Sequence, residues 1–149
     1  MIFIDTTVWV GASDKNDDFH ESSLSVVEAV RLGKLPLALT TDFIIDETVT
    51  ILGKRRGFGA ENARKVGEKI LSSPRIFMVY IDEMLLKSAL KLYPQYEGEL
   101  SLTDIVSLMV MEKYRISEVF SHDTDFDKVK GLSRKDSYPT SKQEMFKKG

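Results

Sequence analysis

The feature that most constrains this chain is an alternation, in which short apolar runs are separated each time by longer segments of helical periodicity. "IFI" (2–4), "LPLALT" (35–40), "RIFMVYI" (75–81) and "ISEVFSH" (116–122) read as strands. Thr6 or Thr7 is placed to cap a short helix carrying Val8, Trp9 and Val10. "FHESSLSVVEAVRLGK" sets Leu24, Val27, Ala29 and Val30 on one helical face and stops at Gly33. From Asp42, residues Ile44, Ile45, Thr48, Val49 and Leu52 form another stripe, ended by Gly53 to Gly57. Further helices are expected from about Ala60 to Leu71, from Asp82 to a stop near Pro94, and over the apolar "LSLTDIVSLMVMEKYR". Pro36 falls at the start of its strand, where a missing N–H is tolerated. Strands joined through helices need crossover connections. The expected fold is therefore α/β, a three-layer α/β/α sandwich around a mostly parallel sheet.

Size and charge narrow the function. The chain has 149 residues, 42% of them hydrophobic, enough for one domain over 1–149 with about 133–149 as a polar C-terminal tail. No repeat, low-complexity tract or linker is evident. Lys and Arg number 21 against 23 Asp and Glu, so the whole molecule does not attract a polyanion and any such contact must be a local patch. The absence of cysteine excludes disulfides, thiolate zinc sites and Cys nucleophiles, and fits a reducing interior. No apolar run approaches the ~18 residues of a membrane span, and no signal peptide is evident. A cytoplasmic protein with no membrane contact is expected.

The acids carry the chemistry. Ligands of open parallel sheets bind outside the carboxyl ends of the strands, where strand order reverses. Asp5 follows the first strand directly, and "FSHDTDF" puts Asp123 and Asp125 at the end of the fourth, so the two sets converge if those strands are neighbours. Asp104 and Glu47 lie near helix beginnings that can reach the same edge. At an effective dielectric of about 20, each like-charged pair at ~4 Å costs about 4 kcal/mol. Such a cluster must raise its pKa values or recruit a cation. All-oxygen donors suit Mg²⁺ or Mn²⁺, and a carboxylate-held metal that activates water and neutralises phosphate fits phosphodiester hydrolysis.

Plainer readings compete. Asp5 suits an Asp turn or a helix cap and Asp104 a capping box with Ser101, while Asp123 and Asp125 compete for one site role, Asp123 being preferred and Asp125 suiting a cap of the helix through Phe126 and Val129. Glu47 competes with Asp46 for the border of the buried stripe. Lys54, Arg55 and Arg56, with Arg64 and Lys65, form either a phosphate-binding patch or a solvated helix end. Trp9 reads as core, with base stacking as its alternative. His20 reads as a surface residue and His122 as a satisfied polar neighbour. The tail lysines Lys142, Lys147 and Lys148 read as solubilising.

Taken together, "FIDTTVW", "DETVTIL", "SLTDIVSLM" and "FSHDTDFDKVKGL" resemble the four acidic motifs of PIN domains, especially the VapC-like ribonucleases. The resemblance covers nearly the whole chain in the expected order, through Phe126 to Gly131 and Leu132. It implies a catalytic quartet of Asp5, Glu47, Asp104 and Asp123, with Asp5, Asp104 and Asp123 as metal ligands and Mg²⁺ or Mn²⁺ as cofactor. It also implies Thr7 as a supporting hydroxyl, an RNA substrate, an antitoxin partner inserting Arg or Lys into the acidic cleft, and a homodimer. Ser121 stands where that family usually has Thr, which keeps the hydroxyl. Three other readings remain: a processing nuclease without antitoxin, a non-catalytic binding module, and a haloacid dehalogenase-type phosphohydrolase. The last wants a second Asp where this chain has Thr7.

Overall fold

The computed structural model describes residues 1–140; Lys142, Lys147 and Lys148 lie outside the described residues. Its centre is a five-stranded sheet of order β3-β2-β1-β4-β5, built from β1 (Ile2–Ile4), β2 (Ala38–Thr41), β3 (Ile76–Val79), β4 (Glu118–Phe120) and β5 (Ser133–Lys135). All four pairings are parallel. Every residue of β1 and β2 is buried, as strands covered on both faces must be, which explains why they read as continuous apolar runs.

Six α-helices among the described residues cover the sheet: α1 (Thr6–Ser13), α2 (His20–Arg31), α3 (Asp42–Lys54), α4 (Gly59–Ser72), α5 (Glu83–Leu92) and α6 (Leu102–Lys113). Right-handed crossovers place α1 to α4 on one face, because β1, β2 and β3 step in one direction across the sheet. The return from β3 to β4 carries α5 and α6 over the other face. Packing follows this division: α1 lies against α2 and α3, α3 against α4, and α5 against α6. Phe3, Ile4, Val8, Val26, Leu39, Ile44, Val110 and Phe120 form the main core, each worth roughly 1.5–3 kcal/mol on full burial. Trp9 belongs to that core, at 4% exposure, which removes it as a base-stacking platform.

The stripe on α3 buries Ile44, Thr48 and Leu52, and Thr41 caps the helix by accepting the Ile44 amide. The close crossing of α1 and α2 depends on Gly11, where a Cβ would collide with Ser23.

Three expectations need correction. The first helix begins at Thr6, with Asp5 rather than Thr6 or Thr7 in the N-cap position. The sheet has a fifth strand, β5, at the start of the segment expected as a polar tail. Ser133, Arg134 and Lys135 pair in register with Glu118, Val119 and Phe120, and Lys135 forms an ion pair with Glu118 at 2.7 Å. A three-residue edge strand held by backbone bonds carries no apolar alternation to reveal it. His20 is half-buried rather than on the surface, its Nδ1 lying 2.8 Å from the Gly11 carbonyl.

Candidate active site

Strand order reverses at β1, which has β2 on one side and β4 on the other. The crevice outside the carboxyl ends of β1 and β4 is thus where a ligand site belongs, and both strands run into acids there. A cleft of about 440 Å³ at this edge is lined by Asp5, Glu47, Asp104 and Asp123, with Thr6 and Thr7 between them. The four acids singled out in the sequence therefore share one cavity.

Asp5 is 4% exposed. Although it occupies the N-cap position of α1, it makes no side-chain cap bond. Its Oδ2 instead accepts the Ser121 hydroxyl at 2.7 Å and the Thr7 hydroxyl at 3.1 Å. Ser121 Oγ in turn accepts the Asp123 amide at 2.9 Å, and Thr7 Oγ1 the His122 amide at 2.9 Å. These bonds stitch the end of β4 to the end of β1. Burial, opposed by the Ser121 bond and reinforced by repulsion from Asp104, pushes the Asp5 pKa up to about 6.

The other acids are fixed by their own elements. Glu47 follows Ile44 by three positions, so it flanks the buried stripe of α3, and its Oε2 accepts the Thr6 hydroxyl at 2.7 Å. Asp46 lines the cleft too but is exposed. Asp104 closes a capping box with Ser101: its Oδ2 accepts the Ser101 amide and its own amide donates to Ser101 Oγ, both at 3.1 Å. Capping and cleft lining are not alternatives here, because the box orients the side chain from the first turn of α6. Desolvation, with smaller contributions from Asp123 and Glu47, raises the Asp104 pKa despite the Ser101 bonds. Asp123 lines the cleft and caps the turn Thr124–Lys128, accepting the Asp125 amide at 2.9 Å. Asp125 instead pairs with Lys128 at 3.3 Å.

Among the described residues, none of the four carboxylates has a Lys or Arg ion-pair partner; their bonds come from hydroxyls and amides. A buried carboxylate with neutral donors and acidic neighbours is the electrostatic condition that a cation relieves. Among the described residues, no three acids or imidazoles stand close enough together to hold a metal ion by themselves. An open cleft of oxygen donors fits a divalent ion that keeps several of its waters.

The basic residues are placed differently from the acids. Arg55 donates through Nη1 to Asp14 at 2.9 Å and Asp17 at 2.7 Å, so its charge is already compensated. Arg64 is paired to Glu61 and Glu68 along α4. Lys54 and Arg56 are exposed and line no part of the acidic cleft. Arg134 had no signal in the sequence: from β5 it donates to the Ser121 carbonyl at 3.0 Å and clamps Asp127, holding the strand end that carries Ser121 and Asp123. His122 is a satisfied neighbour, with Nε2 2.7 Å from Ser23 Oγ, and burial lowers its pKa.

The sequence model of the PIN domain matches residues 2–132. A VapC ribonuclease of Archaeoglobus fulgidus is 29% identical over 125 residues, covering 83% of this chain and 77% of the relative. VapC20 of Mycobacterium tuberculosis, described as a 23S rRNA-specific endonuclease, is 28% identical over 85% of this chain and 92% of its own. Its crystal structure, described as that of a Sarcin-Ricin loop cleaving toxin, superposes with a TM-score of 0.73 at 25% identity, covering 86% and 94% of the two chains. VapBC2 of Rickettsia felis, solved with a DNA fragment from its promoter, shares the fold alone, with a TM-score of 0.64 at 14% identity over 91% and 98%. The match spans nearly all the described residues and takes in every acid of the cleft: this chain belongs to the PIN domain family.

Proposed function

We propose that this protein is a divalent-metal-dependent endoribonuclease that acts in the cytoplasm as the toxin of a toxin–antitoxin pair. The observation that carries the reading is Asp5: a buried carboxylate without a cationic partner, sharing one cleft with Glu47, Asp104 and Asp123. Asp5, Asp104 and Asp123 would hold Mg²⁺ or Mn²⁺. Such an ion supplies Lewis acidity, making water more acidic and neutralising phosphate charge.

The chain's own groups do the rest. Ser121 and Thr7 hold Asp5 in one orientation. Thr6 fixes Glu47 through Oε2, leaving Oε1 to accept a proton from the attacking water. Lys54 and Arg56 take RNA phosphates beyond the cleft, while Arg55 serves chiefly to hold the loop of Asp14 and Asp17. The relatives named as a ribonuclease, a 23S rRNA endonuclease and a toxin support the RNA substrate and a protein partner. That antitoxin would place an Arg or Lys among the unpaired carboxylates, and the toxin would form a homodimer.

The test is cleavage of a mixed pool of labelled RNAs with Mg²⁺ or Mn²⁺, beside lanes with chelator or the Asp5→Asn protein. Cleavage confined to the metal-containing native lanes is the expected result. Cleavage that survives both controls would sink the carboxylate–metal reading. Absence of cleavage together with absence of any metal-induced rise in Tm would point to a binding module without catalysis.

A further inference from the structure

A second hollow, of about 370 Å³, opens beside the acidic cleft. The two share Thr6, Thr7, Ile51 and Asp123 in their linings, so a strand lying in one continues into the other. On its wall Phe19 is 51% exposed and lies flat against the His122 imidazole, with centroids 4.2 Å apart and planes 9° from parallel. This stack is held from behind. His122 contacts Ser23 through Nε2 and donates its amide to Thr7, which donates its hydroxyl to Asp5. An exposed ring is thereby registered to the central carboxylate through two hydrogen bonds.

We propose that this hollow is a nucleobase subsite, in which Phe19, backed by His122, stacks on a base next to the phosphate being cut. The inference rests on the ribonuclease reading and adds where the strand lies. Charge decides which part of a nucleotide enters. Arg55 is already bonded to Asp14 and Asp17, and Asp123 stands at the boundary, so carboxylates outnumber cations and a phosphate is repelled. An aromatic face accepts a neutral base of any identity.

RNA oligonucleotides carrying 2-aminopurine at successive positions test the site directly. They are added to Asp104→Asn protein, which keeps the RNA intact, with Phe19 native or changed to Ala or Trp. Quenching at one or two adjacent positions is expected, lost in Phe19→Ala and kept in Phe19→Trp. In cleavage assays with Asp104 native, Phe19→Ala should raise KM roughly five- to a hundred-fold, with the loss in KM rather than kcat, and Phe19→Trp should restore it. An unchanged KM and quench in a Phe19→Ala protein of native Tm overturns the subsite and reassigns the ring to a protein contact. Phe19-dependent quenching by a protein that cuts no RNA would keep the subsite and overturn the ribonuclease reading instead.

Discussion

Two groups of acids lie at the same end of the sheet, and they are treated in opposite ways. Asp14 and Asp17 meet the Arg55 guanidinium, and the resulting bonds hold the Asp14 pKa below the usual carboxylate range. Asp5 and Asp104 meet hydroxyls, amides and other acids, and both pKa values are raised. The first group is electrostatically finished within the chain. The second stores a cost that a cation from solution can relieve, and an unfinished cluster in a cleft is what a binding site looks like before its ligand arrives. A count of acids would not separate the two; their partners do.

Exchanging carboxylates between the two groups breaks the comparison most severely. Asp104→Asn keeps an oxygen to accept the Ser101 amide, so the helix cap survives, but metal-dependent cleavage should fall on the order of a thousand-fold, since metal-borne charge stabilisation is worth several kcal/mol. Asp14→Asn should leave kcat within a few-fold in the same assay. If both variants lose activity equally, the distinction is false.

Ser121→Ala removes the bond that holds Asp5 and frees the Asp123 amide, which on the proposed metal reading is the loss of a hydrogen-bonding partner behind the ligands. Activity should drop about 10–100-fold and the metal concentration for half-activity should rise, while Ser121→Thr stays near native.

Stability sharpens the contrast further. Because folding raises the Asp5 pKa from 3.8 to about 6, the native state binds that proton more tightly, and stability falls as pH rises between those values. In chelator above pH 7, Asp5→Asn should therefore be more stable than the native chain by on the order of 2–3 kcal/mol, a Tm gain of roughly 5–10 °C. The gain should vanish below about pH 4, and added Mg²⁺ should narrow it by stabilising only the native protein. Arg55→Met should do the reverse: it strands Asp14 and Asp17 and costs about 1–2 kcal/mol with kcat unchanged. The stabilisation that Arg55 gives Asp14 is present above the unfolded carboxylate pKa and is lost as pH falls through the lowered native value, so the gap should close in acid. The smallest effect belongs to Asp125→Asn, whose carboxylate meets Lys128 at the surface; cleavage should stay within about two-fold.

Legibility differed between acids and bases for a physical reason. Asp5 and Asp123 could be placed because a residue just past a parallel strand must lie at the sheet edge, whatever its partners. Glu47 shared the border of its helical stripe with Asp46, and the capping pattern of Asp104 spoke for a purely local role, so the resemblance to the PIN motifs was what put both in the site. Arg55 looked like a phosphate hand because "GKRRG" shows only charge along the chain. Its partners stand 41 and 38 residues away, and no local pattern announces them. Phe19 was likewise invisible as a platform, since its stacking partner His122 belongs to the far end of another strand.

What the sequence determined by itself is the set of properties written in short-range periodicity: short apolar strands, of which β1 and β2 are wholly buried, and helices between them, hence a parallel sheet with acids at its carboxyl edge. What only the tertiary structure decided is pairing. It set β4 beside β1, so that Asp5 and Asp123 face one cleft through Ser121. It recruited Ser133–Lys135 as an edge strand and gave Arg134 the Ser121 carbonyl to hold. It also spent Arg55 on Asp14 and Asp17. Backbone ladders and ion pairs join residues by distance in space, and a one-dimensional pattern carries that distance only where the partners are also near in sequence.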